Sequence, residues 1–218
     1  MTRKTQIRLK IATWIACLGP LVWLVQHAVM NTLGPDPTHT LAFATGRTAL
    51  RLLVISLAIT PLRRLWPRLS WLIRFRRLIG LFAFFYATLH MLTWVGLYAN
   101  FDPSNMYADI LKRRYVTAGM AAWLLLLLLA ATSTQWAIRK MGGRNWNRLH
   151  RLVYFAVGAA LVHYWWQVKS GVITPLGITL LVAALLLARP VLAWNQRRKA
   201  RGNSAARGLR EDAVSRNA

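Results

Sequence analysis

The chain has 218 residues, 56% of them hydrophobic, and a formal net charge of +24. That much apolar surface is more than a soluble domain of this length can bury, which argues against a water-soluble helical bundle. The positive charge does not mark a nucleic-acid binder either: the basic residues sit in the gaps between apolar runs, the distribution that orients helices in a membrane.

The N-terminus places Arg3, Lys4, Arg8 and Lys10 before an apolar run that continues to Met30. It imitates a signal peptide, but no small-residue cleavage site follows, so it reads as a retained first helix. This run holds Cys17, the single cysteine, which rules out an internal disulfide and any cysteine-based metal site. Six spans follow one another at about 9–30, 41–62, 77–98, 115–138, 149–168 and 174–194, each near the roughly 20 residues that cross a ~30 Å hydrocarbon core. The second carries Arg47 and Arg51 inside one end. The connections are short apart from 99–114, leaving no room for an inserted soluble domain. The fold class expected is therefore all-α integral membrane, a six-helix transmembrane bundle.

Of the 29 Lys and Arg, 23 fall on one side: at the N-terminus, in the loops around Arg63 to Arg77 and Arg139 to Arg151, and from Arg189 onward. The other side has Arg47, Arg51, Lys112, Arg113, Arg114 and Lys169. This asymmetry predicts that both the N-terminus and the C-terminus are cytoplasmic. Trp66, Trp94, Trp136, Trp146, Trp165 and Trp194 lie near span ends, as an interfacial belt requires. Two units are expected, a transmembrane domain over 1–195 and a basic tail over 196–218. The tail is too short to build a core and is expected to be disordered against anionic lipid, which attracts each basic residue by about 1 kcal/mol.

Five histidines remain to be explained. His39 falls in a loop and His27 near the end of the first span, and both read as surface or packing residues. His90, His150 and His163 lie within apolar helices, where ionisable side chains are costly and tend to serve a purpose. Neutral imidazole is a good iron ligand, and haem fits between the helices of a bundle. His90 lies 13 residues past Arg77, and His163 lies 13 past His150. At 1.5 Å per residue both stand about 20 Å above the start of parallel helices, so they share a depth at which two imidazoles can clamp one iron.

His150 is different, because its counterpart at the inner level of the third span is Arg77, which has no lone pair to give a metal. A separation of 13 turns an ideal helix through about 220°, so His150 and His163 share a face only if the helix deviates or His150 occupies an irregular first turn. The inner site is open between a haem with another axial ligand and a quinone or flavin site in which Arg77 meets an anionic group. Arg47 and Arg51, one turn apart, suit haem propionates or snorkelling to the headgroups. Tyr86 and Tyr154, on the faces of His90 and His150, read as core packing. The Gly142 loop is not a nucleotide fingerprint; it follows a basic helix end rather than a strand.

The segments RRLIGLFAFFYATLH (76–90), RRYVTAG (113–119), ATS (131–133) and GGRNWNRLHRLVYFAVGAALVHYWW (142–166) resemble the MsrQ family, the haem-binding membrane subunits of periplasmic methionine sulfoxide reductase systems, within the ferric-reductase-like transmembrane superfamily. RLHRLVY followed by HYWW is the most specific part. The resemblance implies a multi-pass protein of the bacterial inner membrane that holds one or two haem b groups, with FMN as a further cofactor. His90, His150 and His163 match the haem-associated histidines, and Arg77 the inner-side arginine. It implies a donor that is a cytoplasmic flavin reductase or quinol, and an acceptor that is the periplasmic molybdopterin subunit MsrP, which repairs oxidised proteins. On this reading the chain is an electron-transfer subunit rather than the catalytic one. The superfamily pattern of two histidine pairs is one histidine short here. No soluble FAD and NADP domain is expected after the last span. Two other readings stand beside this one: a histidine-lined ion or proton transporter, and a cytochrome that reduces ferric iron or oxygen directly.

Overall fold

The computed structural model describes residues 2–168 and 173–216, with side chains to Asn195 and at Arg198; Lys169, part of the charge asymmetry above, lies outside the described residues. Apart from turns, the described chain is helical: α1 (Arg3–Val29), α2 (Pro37–Leu65), α3 (Ile73–Thr93), α4 (Pro103–Lys112), α5 (Arg114–Ala131), α6 (Gln135–Met141), α7 (Gly143–Leu149), α8 (Val153–Gln167) and α9 (Ile173–Arg216). Tighter 3₁₀ turns occupy Pro67–Leu72 and His150–Leu152, and a π turn extends α3 through Trp94–Tyr98. Among the described residues five helices are long and apolar enough to cross a membrane: Arg3–Val29, Pro37–Leu65, Pro67–Tyr98, Arg114–Ala131 and Ile173–Asn195.

Two expected spans differ from the observed helices. The run 115–138 does not continue as one helix, because the Thr132 and Ser133 hydroxyls turn back to the Leu128 and Leu129 carbonyls. The Thr134 hydroxyl then accepts the Ala137 N–H and starts α6. Such side chains end one helix and cap the next without lowering hydropathy. The span expected at 149–168 is α8, only 15 residues long, entered through the turn that contains His150. Beyond Trp194 the backbone of α9 continues as helix to Arg216, in keeping with the good helix propensity of Arg and Ala.

The core lies where α2 packs on α3 and α5 packs on α8, closed on one side by α9. Leu53, Val54 and Leu57 from α2, Ala83 from α3, Leu126 from α5, Ala156 and Val157 from α8 and Val182 from α9 form one buried cluster. Ala83 and Ala156 are fully buried; their small side chains let neighbouring backbones approach, which is the main source of helix association in lipid. α1 contributes only Cys17 and Leu24 to buried positions. It is attached by Tyr86 of α3, whose hydroxyl donates to the Cys17 carbonyl at 2.7 Å and accepts from the Leu21 N–H at 3.0 Å. An unbroken helix pairs those two groups with each other. The site of insertion adjoins Pro20, which has no N–H to give the helix.

Candidate functional site

His90 of α3 and His163 of α8 meet inside the bundle, with ring centroids 5.8 Å apart and ring planes at 76°. Each ring is fixed by the helix beside it. His90 Nδ1 lies 2.8 Å from the Ala42 carbonyl of α2, and His163 Nδ1 lies 2.7 Å from the Tyr115 carbonyl of α5. A carbonyl only accepts, so Nδ1 carries the proton in both rings and Nε2 keeps a free lone pair. A metal-binding imidazole is normally oriented in this way.

A glycine one helical turn beyond each carbonyl lets the ring rest on the backbone. A Cβ at Gly46 would stand 3.0 Å from His90 Cε1 and Nδ1, and one at Gly119 would stand 2.8 Å from His163 Nδ1. Among the described residues no three His, Cys, Asp or Glu side chains come together as a metal cage. Two imidazoles with free Nε2 atoms instead suit a metal whose other positions are filled by a macrocycle, as in haem. The tethered rings and the two glycine cradles fit that group.

The two halves of this site repeat in sequence. The offset of 73 residues from His90 to His163 also takes Ala42 to Tyr115 and Gly46 to Gly119. It takes buried Ala49, Leu53 and Ala83 to buried Ala122, Leu126 and Ala156. The same shift takes Arg77 to His150. The inner-level mismatch thus falls at equivalent positions of two helix pairs that correspond at the histidine, at the carbonyl that holds it, at the glycine and at three buried positions.

His150 lies in the 3₁₀ turn before α8 rather than in regular helix, which removes the need for it to share a face with His163. Its ring stacks on Trp146 at 3.8 Å, and its Nε2 lies 3.4 Å from the Thr132 hydroxyl. Trp146 in turn donates to the Thr132 carbonyl at 2.9 Å. The charges that act on His150 are those of Arg76 and Arg77. His90 and His163 are therefore brought together, while His150 and Arg77 form a separate level. His27 and His39 stand apart: the first bonds the Trp23 carbonyl of its own helix, and the second stacks on Phe43. Arg47 and Arg51 are exposed, with Arg47 lying over Phe43, which places them on the outside of the bundle rather than against the histidines.

Sequence reasoning missed the partners of the histidines. Gly46 and Gly119 could have been found from the shared offset, whereas the Ala42 and Tyr115 carbonyls carry no side-chain signal. Arg76 and Arg189 were also passed over as loop and tail cations. Arg189 lies over the Tyr154 ring and donates to its hydroxyl, so Tyr154 does more than fill space.

Residues 45–161 match the family described as ferric reductase like transmembrane component. The chain is also similar to three proteins named as the heme-binding subunit MsrQ of protein-methionine-sulfoxide reductase. The Rhodospirillum rubrum protein is 44% identical over 89% of this chain and 93% of its own length. The Ralstonia nicotianae protein is 40% identical over 91% of both chains. The Xanthomonas axonopodis pv. citri protein is 45% identical over 84% of this chain and 83% of its own.

Proposed function

We propose a membrane electron carrier: the chain belongs to the ferric-reductase-like transmembrane family, as one of its MsrQ haem-binding subunits, and His90 and His163 are the residues that hold haem b. The observation that carries this reading is the pair of Nδ1–H bonds to the Ala42 and Tyr115 carbonyls, which orient both rings and keep both Nε2 atoms available. When bound, haem supplies a one-electron couple inside the bilayer. The protein fixes the two ligands before the haem arrives, so little side-chain freedom is lost on binding.

In this proposal six helices cross the bacterial inner membrane, with α8 as the short sixth span and both termini in the cytoplasm. Residues 1–195 form the haem domain and 196–218 a basic cytoplasmic segment. Electrons enter from a cytoplasmic flavin reductase or from quinol near His150 and Arg77, where FMN or a second haem is held. They leave to the periplasmic molybdopterin reductase MsrP. The guanidinium of Arg77 serves that inner level by attracting an anionic group, as a permanent cation does best.

The test is spectroscopic. Full-length protein expressed with ample haem should show a Soret band, and reduced haem should be reoxidised by methionine sulfoxide only when the molybdopterin subunit is present. A haem-free preparation that still moves ions in proteoliposomes would instead support a transporter. Reoxidation by oxygen or ferric iron at the same rate without the partner would reject the assigned acceptor.

A further inference from the structure

At the arginine-rich end of the bundle, arginines from three helices lie within electrostatic reach of one another, beside a tyrosine from a fourth. Arg63 lies in the last turn of α2, Arg76 at the start of α3, Arg189 on α9, and Tyr154 in the first turn of α8. The charges that act on Arg76 are those of Arg189 and Arg63, beside the Tyr154 hydroxyl. The chain has five acidic residues. Asp36, Asp102 and Asp109 cap or brace the loops at the other end, while Glu211 and Asp212 come more than twenty residues after Arg189 along α9. Among the described residues, then, no carboxylate reaches the cluster.

Part of this arrangement is structural. Pro61 has no N–H, so the Leu57 carbonyl loses its helical donor; Arg189 Nη2 replaces it at 2.7 Å. Arg64 fixes the same place by donating from Nη1 to the Arg189 carbonyl at 2.8 Å. Two donors remain unexplained, because the Nε atoms of Arg63 and Arg189 are both buried and have no hydrogen-bond partner. The Thr60 hydroxyl, one turn before Arg63 on α2, is buried and unpartnered as well. A buried donor without an acceptor is costly, and a charged one more so. Arginine cannot escape by losing its proton. Mutual repulsion adds to that cost unless an anion enters.

We propose that Arg63, Arg76 and Arg189 form a phosphate-binding site at the arginine-rich end of the bundle, with Thr60 and Tyr154 as hydroxyl partners. Phosphate suits the cluster because its several oxygens accept from more than one guanidinium fork at once. The depth agrees: Arg63 lies three residues before exposed Trp66, a residue type that sits at headgroup level. Basic pockets between helices at that level hold anionic headgroups. The phosphate comes either from a phospholipid or from a free phosphate compound, and the site needs neither haem nor an electron donor.

Native mass spectrometry on the full, delipidated chain in detergent distinguishes the sources. One arm titrates phosphatidylglycerol, with diacylglycerol as the headgroup-free control; the other titrates inorganic phosphate. One phosphate-bearing adduct per chain is expected, with Arg63→Gln weakening it at least tenfold and Arg63→Lys less so. Saturation by phosphatidylglycerol alone identifies a lipid site, and saturation or displacement by inorganic phosphate identifies a soluble ligand. The Soret band of each variant reports that the bundle is still folded. The proposal is overturned if neither probe binds, if diacylglycerol binds as well as phosphatidylglycerol, or if Arg63→Gln binds like the parent. Loss of haem in Arg63→Gln without any phosphate adduct in the parent would reassign the cluster to a haem carboxylate.

Discussion

The histidine pair and the arginine-rich end use the same two helix pairs in opposite ways. At the pair, each imidazole is held by a backbone carbonyl and pressed on a glycine, so its position depends on where a helix lies. At the other level His150 is held by side chains, the Trp146 ring and the Thr132 hydroxyl, and faces arginines rather than a second imidazole. The first arrangement resists change because moving a ring means moving a helix. The second can be retuned one side chain at a time, as suits the electron-entry side proposed above.

The largest effect is expected from the pair itself. His90→Ala and His163→Ala should each abolish the same haem signal, since one tethered imidazole lacks its opposite ligand. His150→Ala should leave that signal and alter reduction by the donor. Haem extraction and the reduced spectrum of the three purified variants provide the check. A normal spectrum in His163→Ala would separate the two rings functionally despite their 5.8 Å approach.

A subtler change asks whether the two levels differ only in ligand chemistry. Because the offset that equates His90 with His163 also equates Arg77 with His150, Arg77→His should restore the missing imidazole. The expected result is one additional haem per chain by pyridine haemochrome against protein mass. An unchanged ratio would mean that the Arg76 charge or the irregular turn at His150 also bars the site. Arg77→Ala should leave haem content unchanged and slow reduction by flavin or quinol.

This comparison also shows what the sequence could reveal. The equal 13-residue steps from Arg77 to His90 and from His150 to His163 were enough to pair the two histidines whose rings approach in the bundle, because helical rise converts spacing into depth. The tethers were invisible, since every residue has a carbonyl and only packing selects Ala42 and Tyr115. Hydropathy carried the run 115–138 through Thr132 to Thr134, because three hydroxyls among apolar neighbours scarcely change an average while their hydrogen bonds end a helix. Arg189 was counted as a flanking cation, although the missing N–H of Pro61, far away in sequence, is what brings it indoors.

The glycine cradles predict a graded loss rather than an abolition. Gly119→Ala must displace the His163 ring, since its Cβ would lie 2.8 Å from Nδ1; Gly46→Ala, at 3.0 Å, asks slightly less of His90. Overpacking of this kind costs about 1–3 kcal/mol. Both variants should bind haem more weakly than the parent, Gly119→Ala more so. Haem-transfer rates to apomyoglobin would rank them. Equal, undiminished retention would show that the rings are free to shift and that the backbone contact is incidental.

The smallest effect is expected one helical turn from His90, at the hydroxyl that attaches α1. Tyr86 is fully buried, and its hydroxyl sits between the Cys17 carbonyl and the Leu21 N–H. In Tyr86→Phe those groups are four residues apart on one helix and can bond each other, so neither is left stranded. The loss should therefore be about 1 kcal/mol, the net worth of an ordinary hydrogen bond, rather than the cost of two buried unpaired groups. The midpoint of thermal haem loss should fall by a few degrees while haem content at room temperature stays the same. A much larger fall would mean that α1 cannot close its own bond beside Pro20, and that Tyr86 substitutes for a helical hydrogen bond that the proline has made unavailable.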